Sequence, residues 1–123
     1  MGGGAVVSMV VLCLLAMVLH SEVAQAATYV VGDKNGWGYG TAGWEKGKSF
    51  KADDILVFNY PKGVHNVVAV NKTGYDECNT IPSDAKVYTS GNDQIKLVKG
   101  LNNFICGIAS HCDFDMKIQI LAS

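Results

Sequence analysis

Beyond residue 26 the apolar residues of this chain fall in short runs, and clusters of Gly, Pro, Asn and Asp separate one run from the next. No stretch holds the 3.6-residue period of an amphipathic helix, so the pattern predicts an all-β fold. Candidate strands are Thr28 to Val31, Ile55 to Tyr60, Asn66 to Val70, Ile95 to Val98, Asn102 to Ile105 and Lys117 to Leu121. Lys117-Ile118-Gln119-Ile120 alternates polar and apolar, as a strand with one face in a core should. Turn signals fill the gaps: Gly32-Asp33-Lys34-Asn35-Gly36, Pro61-Lys62-Gly63, Ser90-Gly91-Asn92-Asp93 and Lys99-Gly100. Residues 75 to 86 show no strand pattern, and a short helical turn is expected near Asp76 to Asn79.

The run from Ala5 to Leu19 is of another kind. It is short for a bilayer span and is followed at once by His20, Ser21 and Glu22. Ala24-Gln25-Ala26 then supplies the small residues that signal peptidase requires. Residues 1–26 are therefore expected to be a secretory signal peptide and residues 27–123 a single exported domain, long enough to build its own core. Met1-Gly2-Gly3-Gly4 lacks the usual Lys or Arg, and the alternative is a membrane anchor that stays attached. The sequence ends at Ser123, directly after the last candidate strand, with neither a Pro/Ser-rich stalk nor a hydrophobic tail, so no lipid or membrane anchor is expected.

Loss of the leader changes the inventory. Ten Lys and no Arg stand against 11 acidic residues, one of which, Glu22, leaves with the leader. A near-neutral domain offers no strong field toward nucleic acid or anionic membrane, and neither is expected as a partner. Cys13, His20, Met1, Met9 and Met17 also depart, leaving His65 and His111, Met116, and Cys78, Cys106 and Cys112. Three cysteines in an oxidising compartment cannot all pair, so one disulfide and one thiol with another use is the simplest account.

The segment Cys106-Gly107-Ile108-Ala109-Ser110-His111-Cys112-Asp113-Phe114-Asp115-Met116 places a thiol, an imidazole and a thioether on one loop at five-residue intervals. His65, from a distant turn, completes two nitrogens, one thiolate and one weak sulfur, which is the ligand set of a blue-copper electron-transfer site. Cys112 adjoins His111, and neighbouring side chains in an extended segment point to opposite sides, so Cys106 is the expected ligand. Cys78 and Cys112 then remain as a pair. Each residue alone has a plainer use, Met116 as core filler and His65 as a satisfied polar group, but together they exhaust the domain's His, Met and unpaired Cys. Trp37 and Trp44 read as packing residues, since nothing in the sequence places them near the ligand loop. Asn71-Lys72-Thr73 is an N-glycosylation sequon.

These residues resemble the phytocyanins, the plant family of blue copper proteins, and most nearly their plantacyanin or basic blue branch. The likeness covers the whole exported domain, through Tyr29-Val30-Val31-Gly32-Asp33, Gly36-Trp37, Asp54 to Tyr60, His65 to Val70, Tyr75-Asp76-Glu77-Cys78, Tyr88 to Asp93, and Phe104-Ile105-Cys106 with His111-Cys112 and Met116-Lys117-Ile118. It implies a Greek-key β-sandwich of the cupredoxin type, with about seven strands and short helical turns. It further implies one type 1 copper held by His65, Cys106, His111 and Met116, a Cys78–Cys112 disulfide, and an extracellular place in the cell wall or apoplast. Ser110 and Asp115 stand where Gly is usual in the family, and the near-neutral charge is not that of a basic protein.

The function this implies is single-electron transport. An edge of His111 near the surface would pass the electron to a redox partner protein or from a small-molecule reductant, and the chain is expected to act as a monomer. Asn66 is expected to link the two ligand-bearing loops, and the Asp115 carboxylate to favour copper(II). A copper oxidase would need many more imidazoles than two, so no enzyme is expected. A zinc site gains little from a thioether. The remaining alternative is a cell-surface signalling or binding module in which copper redox chemistry is secondary.

Overall fold

The computed structural model describes residues 25–123, so the expected leader lies outside the described residues except for Gln25 and Ala26. Among the described residues seven strands form two sheets. The first holds β1 (Thr28–Val30), β2 (Ile55–Asn59) and β5 (Asn92–Lys96) in the order β1-β2-β5, with β1 parallel to β2 and β5 antiparallel to it. The second holds β3 (Val67–Val70), β4 (Val87–Tyr88), β6 (Gly100–Ile105) and β7 (Lys117–Ala122) in the antiparallel order β4-β3-β6-β7. The chain crosses between sheets after β2, β4 and β5, giving the expected Greek-key sandwich of the cupredoxin type.

Alternation explains most of the packing. Leu56 and Phe58 of β2 point inward, as do Ile118, Ile120 and Ala122 of β7, and they meet Val31, Trp37, Val67 and Phe104 in one core. The run Val67-Val68-Ala69-Val70 does not alternate because both of its faces are covered. Val67 and Ala69 face the main core, whereas Val68 and Val70 join Ile105 and Cys112 in a second cluster roofed by Tyr75, Cys78 and Ala85. The irregular segment after β3 is therefore a lid on the outer face of the second sheet.

That lid begins with helix α1 (Lys72–Glu77), not with a turn at Asp76 to Asn79. The Asn71 side chain caps it by accepting from the Gly74 amide at 2.8 Å, and Cys78 ends it in the left-handed region. Gly74 lies so close to β3 that an added Cβ would sit 2.8 Å from Val70 Cβ and 2.6 Å from the Asn79 carbonyl oxygen.

Strand β5 also starts earlier than the apolar run Ile95 to Val98 suggests. Asn92 and Asp93 pair with Asn59 and Phe58, so two residues that signal a turn belong to the ladder. Asp93 is buried because its carboxylate is satisfied by the Ser90 hydroxyl at 2.6 Å, the Ser90 amide at 3.2 Å and the Tyr60 hydroxyl at 2.5 Å. The two-residue β4 is too short to leave an alternating pattern. Among the described residues no helix is long and apolar enough to cross a membrane.

Candidate metal centre

Neighbouring strands bring the chemistry-bearing residues to one end of the sandwich. β3 and β6 pair through Val68 and Ile105, so His65, in the turn just before β3, and Cys106, just after β6, emerge at the same edge. The Cys106 amide donates to the Met116 carbonyl at 3.1 Å and extends the β6–β7 ladder past the Ile105–Lys117 pair. Between Cys106 and Met116 a 3-10 turn, His111–Phe114, carries the second imidazole back over the same end.

There His65 Nδ1 lies 3.1 Å from His111 Nδ1, and Cys106 Sγ lies 3.5 Å from His111 Nδ1. Ligand atoms of the three residues all fall within 4.8 Å of one another. Cys106 and Met116 are buried in the main core, His65 is buried at its rim, and His111 is half-buried. Two imidazole nitrogens facing each other across hydrogen-bond distance, with a thiol beside them, aim three lone-pair donors at one small volume. Such a set fits a cation of intermediate to soft character. Burial holds the pKa of His65 below the ordinary imidazole value, and the neighbouring His111 lowers it further. His65 is thus kept in the neutral form that ligation requires.

The carrying loops are tied to each other and to the core. The Gly107 amide donates to Asn66 Oδ1 at 2.6 Å, joining the residue after His65 to the residue after Cys106. Trp37 Nε1 donates to the Asn66 carbonyl at 2.9 Å, while its own amide donates to Asn59 and its ring packs edge-on against Phe58. Trp37 is therefore not a packing residue alone, as its isolated place in the sequence suggests; it anchors the turn that bears His65. Trp44 does keep to packing, against Phe50. Gly107 is tightly fitted, since a Cβ there would lie 2.8 Å from Val68 Cγ2 and 3.2 Å from Thr80 Cγ2.

Cys78 and Cys112 are joined in a disulfide with Cα atoms 5.6 Å apart, and among the described residues Cys106 is the free cysteine. The bridge fastens the residue after His111 to the end of α1, and closing a loop of this length contributes about 3–4 kcal/mol. The loop also bends at two non-glycine residues with positive φ, Ala109 at 46° and Asp115 at 62°. Asp115 thus occupies the left-handed conformation that Gly would take without strain, whereas Ser110, at φ −98°, does not.

Sequence reasoning passed over Tyr39. Its ring meets those of His65 and His111 edge-on, with centroids at 5.6 and 5.2 Å, and that of Phe114 at 6.0 Å. Tyr39 is 59% exposed and Phe114 62% exposed, so an aromatic rim lies at the surface beside the two imidazoles. A single Tyr in the glycine-rich stretch Gly36 to Gly43 carries no signal of this proximity.

Comparison with known proteins agrees with this geometry. The plastocyanin-like domain family matches residues 35–116. A basic blue protein of Arabidopsis thaliana is 51% identical over 106 residues, covering 86% of this chain and 81% of that protein. Among solved structures, cucumber basic protein, a blue copper protein, superposes with a TM-score of 0.77 at 56% identity, covering 79% of this chain and 100% of the other. Spinach plantacyanin superposes at 0.61 with 55% identity, over 63% of this chain and 85% of that one. With its ligand-bearing loops inside the matched region and relatives more than half identical, the chain belongs to the plastocyanin-like family, among the phytocyanins with the basic blue proteins.

Proposed function

We propose that this chain is a secreted one-electron carrier that holds a single copper ion through His65, Cys106, His111 and Met116 and catalyses no reaction of its own. The observation that carries the reading is the convergence of His65, Cys106 and His111 within 4.8 Å at the edge of a buried core. Bound copper would supply a one-electron couple between copper(I) and copper(II). The chain's own part is to keep the site rigid and dry. Cys106 and Met116 are 1% and 0% exposed, which excludes water from the sulfur side. The Trp37–Asn66–Gly107 hydrogen bonds and the Cys78–Cys112 bridge restrict both ligand-bearing loops, so little rearranges between oxidation states.

Of the three clustered donors His111 is the one only half-buried, and its ring meets the exposed Tyr39, which in turn meets Phe114. We assign electron exchange with a partner protein or small reductant to this aromatic rim. Secretion behind a leader ending at Ala26 fits the disulfide, which persists in an oxidising compartment. The test is an absorption spectrum with metal analysis on protein from a secretory host. One copper per chain and an intense blue band are expected, both lost in Cys106→Ser. A colourless wild-type protein with copper present would refute the proposal.

A further inference from the structure

We infer that Asn71 carries an N-linked glycan whose first sugars lie over an open groove between the two sheets; this rests on the secretory reading above. Asn71-Lys72-Thr73 is an acceptor sequon, and all three residues are exposed. The helix cap uses only Asn71 Oδ1, which accepts from Gly74 N at 2.8 Å, and among the described residues Nδ2 has no hydrogen-bond partner. Nδ2 is the atom that a glycan takes. In the transfer, Nδ2 loses one proton and bonds to C1 of the sugar of a lipid-linked oligosaccharide pyrophosphate, whose C1–O bond breaks as the lipid pyrophosphate leaves. The product is a secondary amide that keeps its carbonyl oxygen, so the modification leaves the cap of α1 intact.

Asn71 is itself part of the wall of a surface groove of about 390 Å³ whose other walls include Pro82, Tyr88, Val98 and Leu101. Val98 is 63% exposed and Leu101 43% exposed, so the groove presents aliphatic surface to solvent. The C–H faces and acetyl methyls of N-acetylglucosamine suit the half-buried Tyr88 ring and these aliphatic side chains, and Lys96 at the groove offers a donor to sugar hydroxyls. Because the attachment point is itself a lining residue, the first sugars need no flexible tether to reach the neighbouring apolar side chains.

The experiment expresses the full chain in mammalian cells and, in parallel, residues 27–123 behind a heterologous leader. Intact mass is read before and after peptide-N-glycosidase treatment, which leaves Asp at position 71. Carbohydrate mass is expected in wild type and Thr73→Ser and is lost in Thr73→Ala, a variant that keeps the Asn71 cap. Relative to the glycosylated form, both Thr73→Ala and the enzymatically stripped wild type should bind more apolar dye and shift the amide resonances of Tyr88, Val98 and Leu101. Wild-type protein exported by the heterologous leader without carbohydrate overturns the site. Glycosylated protein whose dye binding and resonances match those of Thr73→Ala overturns the docking. Glycosylation behind the heterologous leader alone upholds the site and counts against the native leader.

Discussion

Asn66 and Gly107 are 41 residues apart in sequence, yet the Gly107 amide donates to Asn66 Oδ1 at 2.6 Å. One hydrogen bond thereby couples the turn that carries His65 to the loop that carries Cys106. Replacing Asn66 with Leu removes the acceptor, whereas Asp keeps an oxygen in the same place. Asn66→Leu should lower unfolding free energy by about 1–2 kcal/mol and speed copper loss to a chelator, with Asn66→Asp much closer to wild type. Urea melts and chelator-release rates check both. Equal behaviour of the two variants would mean that the oxygen does not hold the loops together.

Gly107→Ala tests the same junction from its other side. The new methyl would meet Val68 Cγ2 at 2.8 Å in a cluster already closed by Cys112 and Ile105, and its neighbours have little room to yield. A loss of about 1–3 kcal/mol is expected, as for other overpacked sites. The same change at Gly63, where nothing lies within 4 Å, lacks the clash and costs only what its positive φ imposes. A thermal melt of Gly107→Ala that coincides with wild type would show the loop to be softer than its packing implies.

How much of this was legible in the sequence follows the range of the interaction. Strands such as Ile55–Asn59 and Lys117–Ala122 appear because burial on one face imposes period two on local residues. The candidate donors were legible because their residue types are scarce: past residue 26 the chain has two histidines, one methionine and, beside the Cys78–Cys112 pair, one further cysteine. Trp37 and Tyr39 were not, since their roles depend on the fold placing residues 36 to 43 beside residues 65 and 111, and nothing local encodes that meeting. Asn92 and Asp93 misled for a related reason. Their turn chemistry is real, but the Tyr60 and Ser90 hydroxyls satisfy Asp93 so well that the strand can begin there.

Asp115 sits in the left-handed region immediately before Met116, and its carboxylate is exposed. A negative charge near the centre stabilises the more positive oxidation state, so its removal should raise the midpoint potential. Asp115→Asn removes only the charge and tolerates the same backbone, whereas Asp115→Gly also relaxes the φ of 62°. Both variants should shift the midpoint upward by tens of millivolts at low salt, with the shift shrinking as ionic strength rises. Voltammetry across a salt series decides the matter, and an unchanged or lower midpoint in Asp115→Asn rules out the charge effect.

Tyr60 makes alkaline stability a test of the buried polar cluster beneath β5. Burial, and after it the hydrogen bond to Asp93, push its pKa from 10.0 to about 12. The folded state therefore holds a proton that the unfolded chain releases near pH 10. Between pH 10 and 12 the unfolded state binds fewer protons, so stability present below pH 10 is lost as pH rises through that window. The slope from this group alone is about 1.4 kcal/mol per pH unit, or roughly 2–3 kcal/mol across the window. Lysines titrate over the same range, but they are common to wild type and Tyr60→Phe and cancel in the difference. Copper-free Tyr60→Phe should be less stable than wild type at neutral pH, because Asp93 loses a donor, and the gap should narrow between pH 10 and 12. Denaturation curves that remain parallel from pH 9 to 12 would mean that the phenol ionises in the folded protein as easily as in the unfolded chain, and that the Tyr60–Asp93 contact is open to solvent.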